Sequence, residues 1–203
     1  MAGPESNNQR LRTRKDLLRA GAQLLKAGRT LTIDEVAKEA LVSRATAYRY
    51  FSDIDALLTE VTVDESMPDP AEIFHGDEPA GIAERLKHAE EALHDYCYKN
   101  ERQLRLMLSR NLASSKQRRG GKTPSRQNRR SEYIAAALAP YRDQLDRKAL
   151  VRLSEALALV FGPESMIVFR DVVPVSPERA KEVKSWMVDS LVSAALAESK
   201  RRR

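Results

Sequence analysis

The chain has little of what strands, disulfides or membrane spans require. Aromatics make up 5% of its 203 residues and glycines number 8. Ala, Leu, Glu, Arg and Lys dominate instead, the composition of packed helices rather than of strands and turns. The single cysteine, Cys97, can close no intramolecular disulfide and is too few for a thiolate metal site, which argues against a secreted scaffold or a zinc finger. No apolar run approaches the roughly 18 residues of a membrane span. Residues 1–9 are polar and carry no hydrophobic signal core. The motifs H-E-x-x-H, G-x-S-x-G and G-x-G-x-x-G are absent, and no pair of carboxylates is placed for acid–base work. Gly121-Lys122-Thr123 has the ending of a phosphate-binding loop, but Lys116 stands where that motif needs its first glycine. The expectation is a soluble, cytoplasmic, all-α protein with no cofactor, no metal and no enzymatic activity.

What the chain does have is a core and an uneven charge. At 42% hydrophobic residues it can bury an interior. The net charge is +6, yet residues 1–51 carry ten Lys or Arg against five acids, residues 61–100 three against ten, and residues 101–130 ten against one. A basic N-terminal third followed by an acidic stretch points to one end that meets a polyanion, with nucleic acid the leading candidate. The plainer alternative is that these charges coat solvated helix faces.

Apolar spacing places a first helix from about Arg12 to Lys26, with Leu17, Leu18, Gly21, Leu24 and Leu25 on its stripe and Gly28 as its stop. Thr32-Ile33-Asp34-Glu35 is a capping box, so a second, two-turn helix follows, burying Ile33, Val36, Ala37 and Ala40. Ser43 caps a third over residues 44–50, and Ser52 with Asp55 offers a cap for a fourth through Leu57, Leu58 and Val61. Prolines 68, 70 and 79 mark a connection. Helices resume over 82–100 and about 104–112, then after a basic loop at 130–145, 149–161 and 178–198, with a kinked piece over 164–171. Residues 1–9 read as a flexible leader and 200–203 as a disordered basic tail.

Two short helices joined by a three- to four-residue turn form a helix-turn-helix, whose second helix enters the DNA major groove. Residues 32–51 have that layout. Counting about 100° per residue from Arg44, Ala47 and Phe51 fall on the core side and Ala45, Arg49 and Thr46 on the opposite one. Small Ala45 permits close approach to a base edge, Arg44 and Arg49 can donate bidentately to guanine, and Thr46, Tyr48 and Tyr50 can reach phosphates or bases. Arg10, Arg12 and Arg14 of the leader offer further phosphate or minor-groove contacts.

Residues 17–58, with Ile33-Asp34-Glu35-Val36-Ala37, Val42-Ser43, Ala45-Thr46-Ala47-Tyr48-Arg49-Tyr50-Phe51 and Leu57-Leu58, resemble the N-terminal domain of the TetR family of bacterial regulators. The resemblance implies a homodimer whose three-helix heads, residues 10–62, bind double-stranded operator DNA. A connection, residues 63–79, leads to a larger helical domain, residues 80–199, that binds a small organic effector. Carried over by position, Arg44, Ala45, Tyr48 and Arg49 face bases, while Thr32, Ser43, Thr46 and Tyr50 face phosphates. Two departures stand out: Leu41 occupies a turn position that is usually glycine, and Ile54 a position that usually holds a phosphate-contacting lysine. The resemblance places the effector cavity among the middle helices, with Tyr96, Cys97, Met107, Tyr133, Met166 and Phe169 as candidate lining. The apolar stripes of the last two long helices, with Leu153, Leu157, Val183, Trp186, Met187 and Leu191, are expected at the dimer interface. The function expected is that of a sequence-specific transcriptional repressor released from a palindromic operator by its effector. The rival is a helical ligand-binding or scaffold protein that no longer reads DNA, in line with Ile54.

Overall fold

The computed structural model describes residues 4–29, 31–75, 81–115 and 128–202. The basic loop expected over 114–128, with Gly121-Lys122-Thr123, lies almost entirely outside the described residues. Among those described, the regular structure is helical without strands: α1 Pro4–Lys26, α2 Ile33–Glu39, α3 Arg44–Tyr50, α4 Ile54–Glu65, α5 Pro70–Ile73, α6 Ile82–Lys99, α7 Glu101–Ser115, α8 Arg129–Leu138, α9 Arg147–Val160, α10 Pro163–Ile167 and α11 Pro177–Arg202. A 3₁₀ turn, Ala139–Gln144, follows α8 at Pro140, and one π-helical turn, Val168–Val172, follows α10. No helix among the described residues is long and apolar enough to cross a membrane.

Both chain ends are more helical than expected. The helix begins at Pro4, replacing the flexible leader, and α11 runs through Arg202, replacing the disordered tail. Proline is suited to the first turn of a helix and no glycine or proline interrupts residues 5–12, but their polarity leaves apolar spacing nothing to register.

The chain divides into two units, Met1–Met67 with Arg102–Gln127, and Pro68–Glu101 with Asn128–Arg203. The division assigns α7 to the first unit, although no proline or glycine separates it from α6 in the sequence.

In the first unit α1 packs on α4 and α2, and α2 on α3. Leu17, Leu18, Leu24, Ile33, Val36, Ala47, Phe51, Leu57 and Val61 form one buried cluster. Gly21 permits the close approach of α1 and α4: a Cβ there would sit 2.9 Å from Leu57 Cδ2 and 3.0 Å from Val61 Cγ2. Gly28, at φ 65°, ends α1 through the bonds Gly28 N to Leu25 O and Arg29 N to Leu24 O, each within 3.1 Å.

In the second unit α6 packs on α8 and α11, and α9 on α8 and α11. Its interior is less uniformly apolar. Lys184 of α11 donates to Glu90 Oε1 of α6 at 2.6 Å, with side chains 1% and 4% exposed. Leu153 and Leu157, expected at a dimer interface, are 3% and 0% exposed within the single chain, so they belong to its own core. The buried residues of α11 are Ala180, Lys184, Val188, Val192, Ala195 and Ser199; Val183, Met187 and Leu191 are half-buried and Trp186 is 69% exposed. Apolar residues occupy more than one side of α11, so spacing reveals a stripe without saying which stripe faces inward.

Candidate nucleic-acid interface

Helix α3 is positioned by its two ends. At its start Ser43 Oγ accepts from Thr46 N at 3.1 Å and meets Thr46 Oγ1 at 2.8 Å. At its end Phe51 is 2% exposed, and Ala47, one turn earlier, is fully buried. Helix α2 begins with Thr32 Oγ1 accepting from Glu35 N at 3.2 Å, as the capping box requires. The cap of α4 is Asp53 rather than Ser52: Asp53 Oδ1 accepts from Ala56 N at 2.7 Å, and Ser52 Oγ donates to Asp53 Oδ2. These bonds hold the Asp53 carboxyl below its usual range, with the Ala56 amide contributing most. Asp53 is placed to offer the free helix-start amide a carboxylate, a stronger acceptor than a hydroxyl.

Between α2 and α3 the chain turns through Leu41, at φ 55° and 93% exposed. Val42 N bonds to Ala37 O at 2.9 Å and Leu41 N to Lys38 O at 3.1 Å, which is a Schellman closure. The geometry that glycine adopts freely is therefore retained by a branched residue, at a backbone cost of about 1–2 kcal/mol.

Anchored in this way, α3 presents Arg44, Ala45, Tyr48 and Arg49 to solvent, with Tyr48 44% exposed. Arg44 Nε lies 2.9 Å from Asp34 Oδ1 of α2, and its guanidinium stands 5.5 Å from the centroid of the Tyr48 ring. The Tyr48 hydroxyl first, and the Asp34 carboxylate second, push the Arg44 pKa up. Arg49 stands 5.8 Å over the Tyr50 ring. Of the expected phosphate-facing residues, Thr32 and Ser43 are exposed helix caps, Thr46 is half-buried, and Tyr50 packs in part against the buried cluster. Ile54 packs there as well.

Arg14 departs most from expectation. It is 4% exposed, with Nη2 2.5 Å from Glu60 Oε1 of α4, Nη1 3.4 Å from Tyr50 O, and its guanidinium 4.5 Å over the Phe51 ring. Instead of reaching for phosphate from a leader, it ties the end of α3 to α1 and α4. The sequence held the signal: Arg14 lies three and four residues before Leu17 and Leu18, on the buried stripe of α1.

The expected cavity residues belong to both units. Tyr96, Cys97, Tyr133 and Met166 are buried in the second unit, at 0–5% exposure, and Phe169 is half-buried there. Met107 belongs to the first unit, where it lines a cleft of about 500 Å³ with Arg14, Tyr48, Asp53, Thr59 and Arg110. Burial pushes the Cys97 thiol up to about 12, so it remains protonated. Burial likewise lowers His94 to about 4, aided by Lys184 and Lys181, and its ring stacks on Tyr98 at 4.4 Å. His88 is exposed and meets Phe74 edge-on, and no three His, Cys, Asp or Glu side chains gather as a metal site among the described residues.

Residues 17–61 match the family model of the bacterial regulatory proteins, tetR family. No curated protein matches the chain. The match runs from the buried stripe of α1 through both caps and α3 to Val61 of α4. Residues 17–61 are thus the helix-turn-helix domain of the TetR family, and the chain that carries them is a DNA-binding transcriptional regulator.

Proposed function

We propose that the protein is a homodimeric, sequence-specific repressor that leaves a palindromic operator when a small organic molecule binds its second unit. The observation that carries this reading is the division of labour in α3: Ala47 and Phe51 are buried at 0% and 2%, while Arg44, Ala45, Tyr48 and Arg49 remain outside. A small residue flanked by two arginines and a tyrosine suits major-groove readout, with Thr32, Ser43, Thr46 and Tyr50 on the phosphates.

A dimer accounts for apolar surface that a lone chain leaves in water. Leu159 and Val151 of α9 are 79% and 49% exposed, and Trp186 of α11 is 69% exposed. A partner copy covers this face, with Val183, Met187 and Leu191 at its edge. Two-fold symmetry then matches an operator with two half-sites about 34–36 Å apart, or a multiple of that spacing. The effector lies beside Tyr96, Cys97, Tyr133, Met166 and Phe169. Effector and operator favour different spacings of the two heads, so each weakens binding of the other by the same factor.

The test is selection from a pool of random duplexes by the purified chain, followed by sequencing. The expected product is an inverted repeat. A pool that stays random after several rounds contradicts the proposal and favours a helical ligand-binding or scaffold role.

A further inference from the structure

The proposed operator reading leaves the Asp34–Arg44 pair unexplained. Arg44 is the first residue of α3, where the helix dipole disfavours a cation, and the first turn of α3 contains no acid to offset it. Folding alone gives no reason for an arginine there. Asp34, in the first turn of α2, makes none of the capping bonds, which belong to Thr32 and Ser43. Yet its Oδ1 stands 2.9 Å from Arg44 Nε, with side chains 50% and 68% exposed, and the Tyr48 ring lies beneath the same guanidinium.

An exposed ion pair contributes little to stability. Its consequence here is orientation. A carboxylate on the Nε side and an aromatic face below restrict a side chain that otherwise samples many rotamers. The guanidinium hydrogens that Asp34 and the Tyr48 hydroxyl do not engage can donate to O6 and N7 of guanine. Ordering the arginine before DNA arrives removes part of the entropic cost of binding.

We propose that Asp34 is a specificity-determining positioning residue, which holds Arg44 against Tyr48 so that Arg44 reads one guanine in each operator half-site. The inference rests on the regulator reading above. It opposes the simpler idea that Asp34 only neutralises positive charge at a surface that meets a polyanion.

The two ideas predict opposite results for Asp34→Asn. Anisotropy with the full chain would measure affinity for the selected duplex, for its four base variants at each half-site position, and for a scrambled duplex, with melting temperature confirming an unchanged fold. Arg44→Ala should abolish the preference for guanine at one position. Asp34→Asn should reduce that same preference by about 3- to 10-fold while scrambled-duplex affinity holds or rises slightly. Combined, the two substitutions should lose no more preference than Arg44→Ala alone, and Asp34→Glu should retain most of it. If Asp34→Asn keeps the guanine preference and tightens all duplexes alike, the positioning role is wrong while the regulator reading stands. If the unmodified chain prefers no duplex, the regulator reading fails and takes this inference with it.

Discussion

The two units differ most in the charge they bury, since both leave leucines in water, Leu41 and Leu112 in the first and Leu159 in the second. In the first, the interior of the described residues is apolar apart from Arg14, and the outer face of α3 carries charged, hydroxylic, aromatic and small residues. In the second, Lys184, Glu90 and His94 are buried at 1–3% exposure, while Leu159 and Trp186 lie in water at 79% and 69%. A charged outer face on a firm core can meet a polyanion without changing itself. Buried charge and exposed apolar surface in the second unit are what the proposed ligand and second copy would complete.

The largest effect should come from removing one member of the buried Lys184–Glu90 pair in the second unit. Glu90→Leu should destabilise the protein by about 3–5 kcal/mol, because Lys184 is left charged and unpaired, whereas adding Lys184→Met should recover most of the loss. Urea unfolding measures both. Equal losses in the single and double variants would show that the pair itself, rather than its desolvated remnant, supplies the stability.

Trp186→Asp places a carboxylate on the outer apolar face. It should weaken dimerisation by about 3 kcal/mol, roughly 100-fold, with little effect on folding of the single chain. Sedimentation of the variant at several concentrations reads this directly, and a dimer of unaltered strength would move the interface away from α11.

His94 separates the units by pH. Its folded pKa of about 4 lies below the usual 6.5, chiefly through burial and then through Lys184 and Lys181, with Asp95 opposing. The unfolded chain therefore takes up the proton first as pH falls. Stability should decline between about pH 6.5 and 4, by up to about 3 kcal/mol, and His94→Gln should flatten that decline. Urea midpoints at pH 7 and pH 5 test it.

The smallest effect belongs to the first unit. Leu41→Gly should stabilise it by about 1 kcal/mol, because the turn requires positive φ and the leucine side chain, 93% exposed, gives up no burial. A rise in the urea midpoint is expected; a fall would mean that the leucine restricts the unfolded chain more than it strains the folded one.

The same contrast explains how much the amino-acid order discloses. In the first unit the signals are local: Thr32 and Ser43 accept the amides that the capping pattern assigns to them, Gly28 ends α1, and Ala47 and Phe51 face inward as their spacing requires. Arg14 is a charged residue on a buried stripe, where charge ordinarily signals solvent, and Asp53 beside Ser52 offers the α4 amide the stronger acceptor. In the second unit the helices were legible but their facing was not. Leu153 and Leu157 lie on one side of α9 and Val151 and Leu159 elsewhere on the same helix, and nothing in the spacing says which set the chain keeps for itself. Met107 illustrates the remaining gap, since membership of α7 in the first unit depends on long-range packing that no local pattern records.

If the exposed face of α3 reads bases, fluorescence anisotropy will resolve the preference. The unmodified chain and Arg49→Ala would each be titrated with the selected duplex and with a scrambled one at a fixed salt concentration. The unmodified chain should prefer the selected duplex by about 10³-fold or more. Arg49→Ala should lose about 1–3 kcal/mol on that duplex while its affinity for scrambled DNA changes far less. Equal affinity of the unmodified chain for both duplexes, or an Arg49→Ala variant that retains the full preference, would contradict base reading by α3.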